Sequence, residues 1–248
     1  MLCRATLSLL LLSLASPAQR RVAITIRNAC EFSRLQDLTK RLLEPFRAGR
    51  VPLTFFVVAG NCAALSTEQK RSVLGLWNGA DRATKQRLER FLAEHGYQQA
   101  PVTFDNSDWM FAFVYADARG RQDAKLAGRV RDAYVPYMES IVEFFEKRAV
   151  EVVGREIPQT LLIHANRLNA EMTPKLLAML KRRGYRFVSL EEALRDDAYR
   201  LPNEYAGKGG FSWIHRWSMT KGMPNQGEPD EPAWLRQEYE KITAREKK

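Results

Sequence analysis

Arg21-Val-Ala-Ile-Thr-Ile26 is a short apolar run rich in β-branched residues, the pattern of a strand buried on both faces. After it, Leu35, Leu38, Leu42, Leu43 and Phe46 recur at helical spacing, and Arg47-Ala-Gly-Arg50 stops that helix with glycine as the natural terminator. Val51-Pro-Leu-Thr-Phe-Phe-Val-Val58 is a second buried run, with its proline near the start where a strand tolerates one. A strand, a helix and a second strand in succession predict parallel pairing through a crossover, and so an α/β fold.

The alternation continues downstream. Ser66 followed by Gln69 forms a capping box for a helix running to about Trp77, and Asp81 to His95 is a further helix closed by Gly96. Ala100-Pro-Val-Thr-Phe-Asp105 reads as a third strand, Gln122 to Arg148 as a long helix, and Pro158-Gln-Thr-Leu-Leu-Ile-His164 as a fourth strand. Thr173-Pro174 caps a helix ending at Gly184, with proline at the first helical position. Tyr185 to Ser189 is a fifth strand and Leu190 to Leu194 a short helix. From about residue 200 the chain is rich in Gly, Pro and Trp and reads as an irregular wrap, with a terminal helix from about Ala233.

The 248 residues suffice for one domain with a sizeable core, and 45% hydrophobic with 27% charged residues is globular rather than disordered composition. The formal net charge of +10 favours anionic partners in general. The positive residues are scattered along helical stretches, however, and no nucleic-acid motif accompanies them, so we expect no nucleic-acid partner. At the N-terminus a single Arg4 precedes the apolar stretch Ala5 to Ala15, and Ser16-Pro17-Ala18 offers small residues for cleavage, the layout of a secretory signal peptide. Residues 1–18 are therefore read as a leader and 19–248 as one exported domain, periplasmic or extracellular, with no stable membrane anchor after cleavage. Cleavage removes Cys3. Cys30 and Cys62 each follow a predicted strand, and a disulfide or two free thiols both fit their positions.

In parallel α/β sheets chemistry gathers at the carboxyl ends of the strands. There stand Arg27 and Asn28 after the first strand, Asp105 with Asp108-Trp109 after the third, and His164 after the fourth. Two acids and a histidine on separate segments of one rim suit proton transfer, though the same residues also serve as helix caps and satisfied core groups.

At these residues the chain resembles the polysaccharide deacetylase family, the NodB-homology carbohydrate esterases. The likeness rests on Val22-Ala-Ile-Thr-Ile26, Val51-Pro-Leu-Thr-Phe-Phe-Val, Asp105-Asn-Ser-Asp-Trp109, Leu162-Ile-His164 and Arg183-Gly-Tyr-Arg-Phe-Val-Ser-Leu-Glu-Glu-Ala, and covers residues 21 to about 220. It implies a distorted (β/α) barrel and removal of acetyl groups from sugar polymers with one divalent metal, often zinc. By position, His164 looks like the acid that protonates the leaving amine and Asp108 like the carboxylate that orients it. Trp109 looks like a groove wall for a sugar ring, and Asp105, which opens the same motif, is grouped with it on the substrate side; in a glycan-binding pseudoenzyme Trp213 and Trp217 would line the same groove.

The family's remaining motifs fail. Its base and a metal ligand are adjacent aspartates, and here those positions are Arg27 and Asn28. Arginine accepts no proton at any relevant pH, and asparagine is a weak neutral ligand. The His-x-x-x-His metal pair has no counterpart, because the only histidines are His95, His164 and His215. His95 reads as a helix-end cation and His215 as a residue packed in the wrap. The supporting Arg-Pro motif is also missing, and the interval from Gly60 to Asp105 is too short for it, as though strands had been lost near Asn78 to Asp81. The expectation is therefore a barrel missing one or more strands, no bound cofactor, impaired catalysis, and self-association through open sheet edges. A glycan-binding pseudoenzyme and a non-functional remnant are the alternatives.

Overall fold

The computed structural model describes residues 19–28, 36–57, 81–94, 96, 99–207, 209–224 and 226–246, with the side chains of 28, 36–40 and 55–57 excepted. The leader, the three cysteines, the capping box at Ser66, His95 and most of the suspected join lie outside these residues.

Strand β1 (Arg21–Asn28) is followed by α1 (Gln36–Ala48) and β2 (Leu53–Val57). The two strands pair in parallel from Ile24 opposite Leu53 to Asn28 opposite Val57, as the opening pattern predicts. Residues Val22 to Ile26 are at most 2% exposed, which is why this run carries no polar alternation. Next come α2 (Arg82–Glu94), α3 (Asp108–Gly120) and α4 (Ala124–Val153). Asp81 caps α2 by accepting from Thr84 N at 2.7 Å. Asp123 caps α4 by accepting from Leu126 N at 2.9 Å, and Gly154 at φ +85° ends it in the left-handed conformation that glycine adopts freely.

β3 (Gln159–His164) pairs in parallel with β1 over its whole length, from Val22 opposite Gln159 to Arg27 opposite His164. It leads into α5 (Arg167–Arg182), β4 (Arg186–Phe187), α6 (Leu190–Leu194), a 3-10 turn (Asp197–Arg200), α7 (Trp213–Thr220) and α8 (Ala233–Glu246). β4 pairs with Arg21 and Val22 only. Since β3 occupies the other side of Val22, β4 shares an edge of β1 with β2. The described strands thus form a small, open parallel sheet in a largely helical α/β protein. Helices α3, α4 and α5 pack together, and α1 packs on α5. Their apolar faces join β1 and β3 in one core around Phe104, Phe111, Tyr134 and Phe145.

Four expectations need correction. Ala100 to Asp105 is no ladder strand: one bridge joins Phe104 to Leu161. Thr103 N and Phe104 N both donate to Thr160 O, at 3.1 and 3.0 Å, and threonine hydroxyls supplement these two backbone bonds. Thr160 Oγ1 donates to Pro101 O at 2.6 Å, and Thr103 Oγ1 accepts from Thr160 N at 2.7 Å. The fifth strand shrinks to two residues because Ser189 turns at once to cap α6, accepting from Glu192 N at 3.1 Å. α5 begins well before Thr173-Pro174, at the Asn166 cap, and Pro174 lies inside it. Trp217, placed beside a glycan groove, is 1% exposed and belongs to the core. His215 is packed in the wrap as expected, among the rings of Phe144, Phe145 and Phe211, and burial pushes its pKa below the ordinary histidine value.

A candidate site at the carboxyl ends of the strands

β3 delivers His164 to the rim, and the following turn is fixed by Ala165 N donating to Arg27 O at 3.0 Å. The bridge at Leu161 brings the 101–107 segment alongside. Asn106 locks it there, its amide donating to Phe104 O at 3.2 Å and to Leu162 O at 2.8 Å. The Asn106 carbonyl oxygen accepts from Asp108 N at 3.0 Å, which turns the chain into α3 with Asp108 as first residue. An acid at a helix N-terminus also faces the favourable end of the helix dipole.

Asp108 is 1% exposed on its side chain, and its Oδ1 lies 2.7 Å from His164 Nδ1. Its Oδ2 accepts from His164 N at 2.7 Å and from Asn169 Nδ2 at 2.8 Å. With Nδ1 of the ring facing a carboxylate, the proton belongs on Nδ1 and Nε2 is the nitrogen left to exchange one with a ligand. Asn169 is itself held from three sides. Its backbone caps onto Asn166 Oδ1 at 2.8 Å, its amide also reaches His164 O at 2.8 Å, and its Oδ1 accepts from buried Tyr134 OH at 2.6 Å. Asn106 and Asn169 are the site residues that sequence reading missed; the only trace of the second was Asn166-x-x-Asn169 directly after Leu162-Ile-His164.

Asp105 lies on the outer side of this pair. Burial pushes its pKa up to about 6, against the pull of Asn106 N–H and the Arg216 guanidinium. Arg216 is held by stacking over Trp213 at 4.4 Å and Tyr205 at 5.1 Å. Glu228, on the wrap, is pushed up to about 7 by burial and then by the Asp105 charge. Asp105, Ser107, Trp109, Tyr137, Glu228 and Arg236 are among the residues lining a cleft of about 370 Å³. Trp109 is 44% exposed at its wall. The wrap is tied down by Trp213 N donating to Val102 O at 2.8 Å and by Arg148 Nη2 donating to Pro224 O at 2.7 Å.

The structure therefore brings Asp105, Asp108, Trp109 and His164 to one end of the sheet. Arg27 sits beside His164 in the strand register with its side chain exposed, and Asn28 ends β1. These residues do not fit a divalent metal. Arg27 brings a cation to the rim, and Asp108 has both oxygens committed to hydrogen bonds. Among the described residues no group of three or more His, Cys, Asp or Glu is placed to hold a metal ion. Also among them, no helix is long and apolar enough to cross a membrane. What the arrangement holds is a histidine oriented by a buried carboxylate, His164 on Asp108, near a polar cleft with one aromatic wall.

No family model, curated protein or solved structure matches the chain.

Proposed function

We propose that the chain is a polysaccharide deacetylase-like protein in which the proton-donating half of the site is assembled and the water-activating half is not. The observation that carries this reading is the 2.7 Å contact between Asp108 Oδ1 and His164 Nδ1, the pairing the resemblance assigns to the acid and its orienting carboxylate. The parallel sheet, with this pair at its carboxyl end, suits a (β/α) barrel that has lost strands. The leader-like layout of residues 1–18 supports this reading, since export would bring such a protein to sugar polymers.

The chemistry limits what the site does. A positioned acid contributes on the order of a hundred- to ten-thousand-fold, and only when a nucleophile is available. Arg27 supplies none, and metal activation of water, the larger contribution in this family, lacks its ligands. A second reading, glycan binding without turnover, is favoured by the exposed indole of Trp109 beside the cleft, an apolar face on which a sugar ring can pack.

Calorimetric titration with an N-acetylglucosamine hexamer tests this second reading, and acetate release with bound zinc counted tests the first. The expected result is binding that weakens about tenfold or more in Trp109→Ala while the chain still unfolds cooperatively, with a modest fall in melting temperature from the lost contact with Tyr239. No binding by the native chain, or equal binding by Trp109→Ala, would remove the glycan reading.

A further inference from the structure

The cleft is built from two segments far apart in sequence, the 105–109 turn and the 228–231 wrap, and α8 touches both. On one side Tyr239 meets Trp109 edge to face, with ring centroids 5.4 Å apart and planes at 84°. The same ring packs on Phe113, one turn further along α3, at 5.2 Å and 66°. On the other side Arg236, one turn earlier on α8, pairs with Glu231 at 2.5 Å and with Asp230 at 3.5 Å. α8 is anchored independently of both. Leu235 and Ile242 are buried, Arg129 stacks over Trp234 at 4.0 Å, and Arg245 pairs with Asp117 at 3.1 Å.

An exposed tryptophan free to change rotamer makes a poor platform, since ordering it on binding costs affinity. An edge-to-face partner removes that freedom while leaving the other side of the indole open. Nothing in the local sequence of α3 supplies such a partner on the solvent side; it comes from α8. The spacing matters too: Arg236 and Tyr239 are three residues apart on a helix and so lie on one face. That face meets the aromatic wall with one residue and the acidic wall with the other.

We propose that Tyr239 is the positioning residue for the Trp109 wall, and that α8 sets the width of the cleft through Tyr239 and Arg236. Glycan recognition is then controlled from the C-terminal helix, more than a hundred residues from the motif that carries Trp109. The binding part of this inference rests on the glycan reading above; the positioning part does not.

The test uses the full chain labelled with 5-fluorotryptophan, with the Trp109 fluorine line identified by its loss in Trp109→Phe. In Tyr239→Ala that line is expected to shift and broaden while the line of buried Trp217 stays in place, and in Tyr239→Phe it is expected to keep its native position. If Tyr239→Ala does not fold, Tyr239→Leu keeps the apolar volume without the ring and is expected to give the same shift. N-acetylglucosamine hexamer affinity is expected to fall about three- to tenfold in the ringless variant and to recover in Tyr239→Phe. A Trp109 line unmoved by loss of the ring overturns the proposal, as does failure of Tyr239→Phe to preserve it. If the native chain does not bind the hexamer, the glycan reading fails while the fluorine line still decides the role of Tyr239.

Discussion

Asp108→Ala is expected to destabilise the fold by about 3–5 kcal/mol, a large part of what a domain of this size commands. The carboxylate is nearly inaccessible and takes three hydrogen bonds: from the His164 ring, from His164 N and from Asn169 Nδ2. Removing it strands these partners without water to replace the lost acceptor, and each unsatisfied buried group costs roughly 1–3 kcal/mol. Asn169 would lose part of its fixing, and the loss would spread to Tyr134 through their 2.6 Å contact. Asp108→Asn keeps the volume and one acceptor, so it should lose about half as much. Urea unfolding of the two variants checks this. An Asp108→Ala midpoint close to that of the native chain would show that the buried network does not hold the rim together.

Asp105→Asn should do the opposite, and its effect should depend on pH. Burial raises the Asp105 pKa from 3.8 to about 6. The unfolded chain gives up this proton near pH 4, whereas the folded chain keeps it until about pH 6. Between those values the folded state binds more protons, so its stability falls as pH rises, and the full cost remains above pH 6. Asparagine has no charge to bury and can still accept from Asn106 N. Asp105→Asn is therefore expected to gain on the order of 2 kcal/mol at pH 8 and almost nothing at pH 4. Glu228 works in the same sense. Its pKa of about 7 owes part of its rise to Asp105, so the substitution should also let Glu228 ionise at lower pH. Thermal melts across pH 4 to 8 decide this. A gain that is constant with pH would mean that Asp105 is ionised throughout.

The β1–α1–β2 unit was readable from sequence because burial on both faces leaves continuous apolar runs. α1 in turn carries a plain helical period. α3 was not readable. Met110, Phe111, Val114, Tyr115 and Ala118 form one buried face, but Trp109, Ala112, Phe113 and Ala116 between them are apolar too, so Asp108-Trp-Met-Phe-Ala-Phe-Val-Tyr-Ala carries little periodicity. The 100–105 segment has the composition of a strand, yet Pro101 offers no N–H, and its pairing to β3 is cut to two backbone bonds onto Thr160 O supplemented by threonine hydroxyls. In α5 the proline drew attention to Thr173, while the working cap was Asn166, seven residues earlier.

The site divides in the same way. Asp108 and His164 stand 56 positions apart, and strand-end logic placed them on one rim but could not say that they touch. Their pairing came from the resemblance. Asn106 and Asn169 were invisible because neutral amides fit many surface turns equally well, and only the fold shows that they hold the acid and the histidine in place. Tyr239 and Arg236 come from a helix that sequence reading treated only as the end of the wrap.

On the reading proposed above, this rim delivers a proton but generates no hydroxide. Acetate release from an N-acetylglucosamine hexamer in the presence of zinc, with bound zinc counted in the same sample, tests it most directly. The expected result is no stoichiometric zinc and acetate at the rate of the protein-free blank. One zinc per chain, with acetate release that disappears in His164→Ala, would contradict it.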